Sequence, residues 1–269
     1  MEQAFVRTPI GPNLRSIQSH GLVGWYPLIN NCPLEHMRGG RFSHSLALTI
    51  NPYAGLLPYF DNLQTTYLEL NHTYEDVAFQ TERSISAWCY PYSIGGSGVV
   101  DRVITLFRGD WSTSIGFGSR NGFWSAFYRV GDTFLQADSS YTAQPNQLVH
   151  LALVTYGTNV LLYVNGQRYL LATNGGVPNA GTPPITNAVL GGVYFSNEAW
   201  HGHIWDVRIY NRALAEEEVW QMYDPLTRFD LYDTYDPLSR GILQSVTADL
   251  SVSIDPSDDN LYLSDVEVV

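Results

Sequence analysis

Short runs of β-branched and aromatic residues recur along this chain, and each run is bounded by Gly, Pro, Asn or Asp. Such runs are typical of strands, because these side chains fit a pleated surface and the bounding residues favour turns. The clearest runs cover residues 22–28, 66–70, 84–91, 103–108, 123–129, 148–155, 160–164, 188–193 and 204–210. We therefore predict an all-β protein built from many short strands.

Two Asn-Gly pairs stand next to these runs, at Asn165-Gly166 and Asn121-Gly122. A two-residue hairpin turn of type I′ needs positive φ at both central residues, and Asn followed by Gly meets that need well. The first pair therefore predicts a hairpin between the strands that flank it, and the second pair predicts a turn.

One helix is predicted, at residues 216–223. Its first turn holds three consecutive glutamates, where the helix dipole favours negative charge, and Pro225 stops it. Ala215 takes the N-cap position that Ser or Thr usually occupies, which costs about 1 kcal/mol of helix stability. A helix this short caps a sandwich and does not form a layer of its own.

The two ends of the chain differ from the middle. Residues 1–20 are polar and contain two prolines, which predicts an extended arm before a body at 21–228. In the tail, residues 229–269, apolar and polar positions alternate over 246–254, and a second strand candidate covers 261–269, which predicts a C-terminal β-hairpin. A lone hairpin is marginal in water, so its apolar face must be buried against the sandwich or against another chain, and we favour another chain. The residues of this assembly face are Val246, Leu250, Val252 and Ile254.

Composition narrows the set of partners. The formal net charge of the 269 residues is −12, which makes nucleic acid a poor partner. Every basic residue is an arginine, a residue that is enriched at interfaces. No stretch approaches the ~20 apolar residues of a membrane helix, so no membrane insertion is expected. The first residues lack the apolar segment of a secretory signal. The spacing of Cys32 and Cys89 leaves their pairing open, and we favour two unpaired thiols.

Several motifs together resemble the laminin-G-like, pentraxin-like domains of the concanavalin A-like family. They are Gly-Leu-Val-Gly-Trp-Tyr-Pro-Leu at 21–28, Ser-Ile-Ser-Ala-Trp at 84–88, the runs at 150–154 and 162–166, and His-Gly-His-Ile-Trp-Asp-Val-Arg-Ile-Tyr-Asn-Arg-Ala-Leu at 201–214. The motifs occur in the order of the family and cover residues 21–223. The resemblance implies a jelly-roll sandwich of two curved antiparallel sheets, in a family that binds glycans or proteins or serves structurally.

Metal sites are not expected. Calcium sites in the family use loop carboxylates and carbonyl oxygens, but residues 29–43 lack the family's Asp-x-Ser-Gly-Asn style of loop, so we expect no cofactor. Asp61 and Asn62 are the weak calcium candidates, because calcium needs several convergent oxygens. His201 and His203 share a face if they lie on a strand, but a zinc site needs three or four ligands. We interpret the two histidines as packing residues.

Catalysis is not expected either. The resemblance extends to glycosidases, and a retaining glycosidase needs two carboxyl groups about 5–5.5 Å apart. On a strand this requires acids two or four positions apart, and the spacing Glu-x-Asp-x-Glu is absent from the sequence. The glutamates at 216–218 are explained by the start of a helix. A glycoside hydrolase therefore remains a minor alternative.

Aromatic residues, 13% of the chain, are the strongest sign of recognition. Aromatic rings stack on sugars and anchor protein interfaces, although most of them in a sandwich belong to the core. Trp111 and Trp124 stand next to polar loop residues and are predicted to be an exposed pair. Together with Tyr128 they form the predicted ligand-binding site.

Two hypotheses for function follow. In the first, the chain is a non-catalytic virion component, such as a bacteriophage capsid decoration, cement or tail-associated protein. It would assemble through its arm and tail with a major capsid protein, with other virion proteins or with itself, because extended segments add to exposed sheet edges. In the second, it is a lectin-like carbohydrate-binding module at a cell surface or outside the cell. The two are compatible, since a virion domain can adhere to glycans.

Overall fold

A computed structural model describes residues 9–29, 47–63, 66–70, 82–96, 100–107, 113–130, 133–173, 187–192 and 198–234. The strands are β1 (Pro9–Pro12), β2 (Leu22–Tyr26), β3 (Leu48–Asn51), β4 (Gly55–Asp61), β5 (Leu68–Leu70), β6 (Arg83–Pro91), β7 (Asp101–Phe107), β8 (Thr113–Arg120), β9 (Phe123–Val130), β10 (Thr133–Thr142), β11 (Val149–Tyr156), β12 (Asn159–Val164), β13 (Gln167–Thr173), β14 (Asn187–Leu190), β15 (His201–Tyr210) and β16 (Tyr232–Thr234). Helix α1 spans Glu216–Tyr223, and a 3₁₀ turn spans Ile17–Ser19.

The strands form two large sheets. The eight-stranded sheet has the order β13-β12-β11-β6-β15-β4-β3, and β2 also pairs with β15. The six-stranded sheet has the order β10-β9-β8-β7-β14-β5. Neighbouring strands in both sheets are antiparallel. The all-β jelly-roll prediction is confirmed, and each of the nine predicted runs overlaps a strand.

The core lies between the two sheets. Strands β6 and β15 pair with each other in the middle of the eight-stranded sheet. One face of each strand points into the core. The inward residues with no exposed surface are Ile85, Ala87, Cys89, Ile204, Val207 and Ile209. Cys89 is a free thiol, and burial raises its pKa. Cys32 lies outside the described residues, so the prediction of two unpaired thiols is not tested for it.

Helix α1 begins and ends where the sequence predicts. Ala215 makes no side-chain hydrogen bond to the helix, but the carboxylate of Glu218 accepts one from the backbone N–H of Ala215 at 2.9 Å. Arg212 holds that carboxylate through two further bonds of 2.7 and 2.5 Å. Val219 and Met222 are buried under the helix. No helix in the described ranges is both long enough and apolar enough to cross a membrane.

Both predicted Asn-Gly turns have the backbone of type I′. The φ angles are 52° and 78° at Asn165-Gly166, and 54° and 81° at Asn121-Gly122. The surroundings of the two glycines differ. A Cβ at Gly166 would lie 2.7 Å from the Trp220 ring, whereas one at Gly122 would meet no atom within 4 Å.

The two turns allow a matched prediction. Gly122→Ala should cost about 1 kcal/mol of stability, because alanine is strained at positive φ. Gly166→Ala should cost about 1 kcal/mol more, because Trp220 must also move. Urea unfolding of the two variants measures this difference directly. Equal losses of stability would mean that the Trp220 ring moves aside freely.

The structure describes the two ends of the chain only in part. Within the described part of 1–20, β1 pairs with β16, and the backbone N–H of Asn13 donates to the Leu231 carbonyl at 2.6 Å. Gln18 is only 5% exposed, whereas Leu14 and Ile17 are 71% and 59% exposed, and the arm at 1–20 stays a prediction. One compact unit ends at Asp233, and 234–269 form a second unit. Val246, Leu250, Val252 and Ile254 lie outside the described residues, and their assembly role stays a prediction.

Candidate functional site

One half of the outer face of the eight-stranded sheet is covered by other segments of the chain. Arg208 on β15 is 1% exposed, and it donates to the Gln18 side chain and to the Arg228 carbonyl. Ser86 on β6 and Tyr210 on β15 both contact the sulfur of Met222 in α1 at 3.6 Å. Residues before β2, helix α1 and the segment after α1 therefore cover this half.

The other half carries partly exposed rings. Tyr53 is 43% exposed, and Tyr59, Tyr90, Tyr92 and His201 are half-buried. We call this region the tyrosine–histidine surface; it consists of Thr49, Tyr53, Tyr59, Tyr90, Tyr92, Ser93, His201 and His203. Its members come from β3, β4, β6 and β15 and from the turns that follow β3 and β6.

Strand register assembles this surface. His203 on β15 is the partner of Tyr59 on β4 and of Tyr90 on β6, so the three residues form a row across the sheet. Directly opposed side chains in antiparallel strands lie close enough to interact. His201 is two residues from His203, so it extends the same face. The prediction that the two histidines share a face is confirmed.

The rings of the surface form a continuous series. Ring centroids are 5.7 Å apart for Tyr53 and Tyr90, 5.6 Å for Tyr90 and Tyr92, and 5.9 Å for Tyr92 and Tyr59. His201 lies 5.5 Å from Tyr92 and 6.1 Å from Tyr59. These distances and the tilted or edge-on angles are those of favourable aromatic pairs. The series can offer ring faces and edges to an apolar surface of a ligand.

Hydrogen bonds hold both imidazoles in place. His203 Nδ1 lies 3.0 Å from the Pro58 carbonyl oxygen, and its Nε2 lies 3.0 Å from the Tyr92 hydroxyl and 3.2 Å from the Thr49 hydroxyl. His201 contacts Ser93 Oγ through Nδ1 at 3.1 Å and the Tyr59 hydroxyl through Nε2 at 3.2 Å. All four ring nitrogens therefore have partners within the protein.

The pKa values of two groups of the surface, His203 and Tyr92, are shifted. Burial lowers the pKa of His203, although its bond to the Pro58 carbonyl acts in the opposite direction. Burial raises the pKa of Tyr92, and the neighbouring Tyr90 and Tyr59 raise it further. These shifts favour the neutral imidazole of His203 and the neutral phenol of Tyr92.

Metal candidates from the sequence have other roles where the structure describes them. Across the described ranges, no three His, Cys, Asp or Glu side chains come together as a possible metal site. Asp61 Oδ1 accepts hydrogen bonds from the Leu63 N–H at 3.1 Å and from the Thr66 hydroxyl at 2.6 Å. Asn62 has a φ of 64°. The two residues thus shape the turn after β4.

The predicted ligand site is not assembled as expected. Trp124 is 1% exposed and packs 6.1 Å from Trp200, and Tyr128 is 3% exposed. Trp124, Ala126 and Tyr128 lie two residues apart, so they share the face of β9 that points into the core. The expected exposure of Trp124 is therefore wrong. Burial raises the pKa of Tyr128 to about 12. Trp111 lies outside the described residues.

Asp101, outside the tyrosine–histidine surface, is affected by a neighbouring acid. Burial, and then the charge of Glu198, raise the pKa of Asp101 to about 7. Glu198 is bound to Arg102, whose Nε lies 2.5 Å from Oε2. The backbone N–H of Arg102 also donates to the Glu198 carbonyl at 3.3 Å. Asp101 is thus a carboxyl group held partly protonated at neutral pH.

Comparison with known families gives one match. The model of the concanavalin A-like lectin/glucanases superfamily matches residues 62–220, which is more than half of the chain. No curated protein matches the sequence.

Solved structures give a wider set of similar folds. The chain is similar to domain 4 of AbnA, a GH43 extracellular arabinanase from Geobacillus stearothermophilus in complex with arabinotriose, with a TM-score of 0.61 and 17% identity over 76% of this chain and 98% of that chain. It is similar to the binding domain of Paraclostridial Mosquitocidal Protein 1, with a TM-score of 0.61 and 13% identity over 78% of this chain and 53% of that chain.

A third similar structure is from botulinum neurotoxin type C, whose cell entry depends upon interaction with two ganglioside molecules. Its TM-score is 0.56, with 11% identity over 78% of this chain and 52% of that chain. The match thus spans about half the length of the two toxin chains. At these identities the three similarities show the fold alone.

Proposed function

The chain belongs to the concanavalin A-like lectin/glucanases superfamily, and from that premise we propose that it is a non-catalytic carbohydrate-binding domain. Its binding site in this proposal is the tyrosine–histidine surface. The carrying observation is the continuous series of partly exposed rings, in which Tyr53, Tyr90, Tyr92 and Tyr59 follow one another at 5.6 to 5.9 Å.

The chemistry of the surface suits a sugar. Pyranose and furanose rings present C–H groups that pack on aromatic faces, and hydroxyls around their rim need hydrogen-bond partners. The surface supplies phenol, alcohol and imidazole groups next to its rings. Two similar folds point in the same direction, since domain 4 of the arabinanase holds arabinotriose and the botulinum toxin interacts with gangliosides.

The absence of catalysis is also part of the proposal. It is supported by Glu198, the acid whose charge raises the pKa of Asp101. The carboxylate of Glu198 forms an ion pair with Arg102. The alternative of a glycoside hydrolase requires one free carboxylate and one protonated carboxyl group on either side of a bond. That alternative predicts sugar release that Asp101→Asn abolishes.

The wider setting is proposed from the sequence. We keep the prediction that the domain serves on a virus particle, with capsid or tail proteins, or further copies of itself, as partners. That part rests on Val246, Leu250, Val252 and Ile254, whose alternation in the sequence favours a hairpin with one apolar face. Glycan binding by the body is compatible with this setting and with an extracellular one.

The binding experiment compares two tyrosines of similar exposure. Wild-type protein is run in native gels that contain linear arabinan, galactan, xylan, mannan or mixed-linkage glucan, and a dissociation constant is obtained from the retardation. Tyr53→Ala should weaken binding to the retarding polysaccharide about tenfold, because a stacked ring contributes about 1 kcal/mol or slightly more. Tyr156→Ala is the control, since Tyr156 is 39% exposed but lies at the end of β11.

Two results would contradict the proposal. One is a wild-type protein that no polysaccharide of the panel retards. The other is equal loss of affinity in Tyr53→Ala and Tyr156→Ala, which would move the site away from the tyrosine–histidine surface.

A further inference from the structure

One hydrogen bond determines which nitrogen of His203 carries a proton. Nδ1 lies 3.0 Å from the Pro58 carbonyl oxygen, and a carbonyl oxygen can only accept. Nδ1 must therefore be the N–H of this ring. In the neutral imidazole the other nitrogen, Nε2, is then a pure acceptor. His203 is fully buried, and burial lowers its pKa, so the neutral ring is the favoured form.

The tautomer of His203 orients two hydroxyls. Tyr92 OH lies 3.0 Å from Nε2 and Thr49 Oγ1 lies 3.2 Å from it. Because Nε2 only accepts, each hydroxyl that bonds to it must point its hydrogen at the imidazole. The lone pairs of the Tyr92 and Thr49 oxygens are then left for a ligand. Both oxygens act toward that ligand as acceptors.

His201 does not impose the same polarity. Its Nδ1 contacts the Ser93 hydroxyl and its Nε2 contacts the Tyr59 hydroxyl. A neutral ring donates through one nitrogen and accepts through the other, and both hydroxyls can take either part. The fixed polarity therefore belongs to the His203 side of the surface.

We infer that His203, acting through Tyr92 and Thr49, makes the surface select uncharged saccharides over anionic ones. Sugar hydroxyls can donate to the two oriented oxygens. Carboxylate and sulfate oxygens can only accept, so they find no donor there. This inference rests on the proposed function, and it makes His203 a positioning residue that determines specificity without touching the sugar.

The charges near the surface favour the same selection. His203 faces Pro58 and Tyr59 on β4, Thr49 on β3, and Tyr92 beyond β6. The nearest acid in register is Asp61, the partner of His201 across β15 and β4. Among the described residues, no arginine is a hydrogen-bond or ring partner of the eight side chains of the surface. An anionic sugar would meet an acid without the guanidinium that usually binds carboxylates.

The experiment uses pairs of probes that share a backbone and differ mainly in charge. The polysaccharide that retards the wild-type protein is compared with its lightly carboxymethylated derivative, and methyl-esterified polygalacturonate is compared with the de-esterified polymer. Wild-type protein should bind the uncharged member of a pair at least about tenfold more tightly, which corresponds to about 1.4 kcal/mol. Equal binding, or tighter binding of the charged member, overturns the inference and leaves the proposed function standing. A wild-type protein that no polysaccharide of the panel retards contradicts both.

Tyr92→Phe tests the role of the oriented hydroxyl. The variant keeps the ring but loses the oxygen, so the affinity for the uncharged probe should fall about fivefold to tenfold. The preference between the two members of a pair should shrink at the same time. A purely structural Tyr92 would lower both affinities equally and leave their ratio unchanged. Thermal unfolding of the variant confirms that the comparison is made on folded protein.

The pH dependence of the affinity ratio distinguishes an orienting role of His203 from a role in packing alone. Protonation turns Nε2 of His203 into a donor, so the Tyr92 and Thr49 hydroxyls must reverse and point their hydrogens outward. The wild-type preference for the uncharged probe should therefore decline on acidification, below the ordinary histidine pKa because burial lowers that of His203. The preference of Tyr92→Phe should change less over the same range. The carboxylates of the charged probe also take up protons in acid, so the readout is the difference between the two proteins. A wild-type ratio that changes in parallel with that of Tyr92→Phe overturns the inference.

Discussion

Arg208→Met should destabilise the protein by about 3–5 kcal/mol, a large part of the stability of an ordinary domain. Arg208 and Asp206 form an ion pair of 2.7 Å, with side chains only 1% and 2% exposed. Removal of the guanidinium leaves a buried carboxylate that has lost its cation and still accepts from the indole N–H of Trp25 at 2.8 Å. An uncompensated buried charge is among the most destabilising changes that a single substitution makes.

The geometry of β15 explains how the pair forms. The register between β15 and β6 shifts between Trp205 and Arg208, which marks a β-bulge. Asp206 sits in this bulge with a φ of 47°, a conformation that aspartate and asparagine tolerate better than most residues. The bulge places Asp206 beside Arg208. Arg208 also donates to the Gln18 side chain at 2.5 Å and to the Arg228 carbonyl at 2.9 Å, which joins three distant segments.

A double-mutant cycle separates the lost pair from the lost packing. Asp206→Asn keeps the favoured backbone and removes the charge, so adding it to Arg208→Met should recover about 1 kcal/mol or more. Arg168→Met is the control, because Arg168 is exposed, and it should stay within about 0.5 kcal/mol of wild type. Urea unfolding gives the free energies of the four proteins of the cycle and of the control. A cost below about 1 kcal/mol for Arg208→Met would show that the pair adds nothing essential.

Two of the strands that sequence reasoning missed, β8 and β10, share a physical cause. Strand β8 contains Gly116 and Gly118, and β10 contains the mostly polar run 136–140, so neither shows a continuous apolar run. Both pair with the predicted strand β9, which supplies the hydrogen-bond partners for these weak patterns. Tertiary context thus decides elements whose local preference is low. Strong local signals behaved differently, since the Asn165-Gly166 turn and α1 were located from a few residues.

The candidate site was harder to predict than the fold. Part of the tyrosine–histidine surface was visible in the sequence, because His201 and His203 stand two residues apart, as do Tyr90 and Tyr92. Their meeting depends on the pairing of β6 with β15 and of β15 with β4, strands far apart in the sequence. Trp124 shows the opposite error. Its polar neighbours suggested exposure, but strand alternation places it in the core with Ala126 and Tyr128.

His150→Gln should change the acid stability of the protein. His150 is 2% exposed, and its ring packs 5.1 Å from that of Trp88. Burial, and then the charge of Arg208, lower its pKa to about 3. The unfolded chain takes up this proton near pH 6.5, so between the two pKa values it binds more protons than the folded protein. Stability must therefore fall as the pH falls through this window, by about 3 kcal/mol from this group between about pH 8 and pH 4.5.

The wild-type curve alone will not reveal this loss, because Asp101 acts with the opposite sign. The folded-state pKa of Asp101 is raised to about 7, so the folded protein binds the extra proton, and stability rises as the pH falls through that value. His203, whose pKa is lowered, has the same sign as His150. The informative quantity is the difference in unfolding free energy between each variant and wild type at the two pH values. For His150→Gln that difference should move by about 3 kcal/mol in favour of the variant at the acid pH, and for Asp101→Asn it should move the other way. If the cost of His150→Gln is the same at both pH values, His150 takes up its proton equally in the folded and unfolded chains.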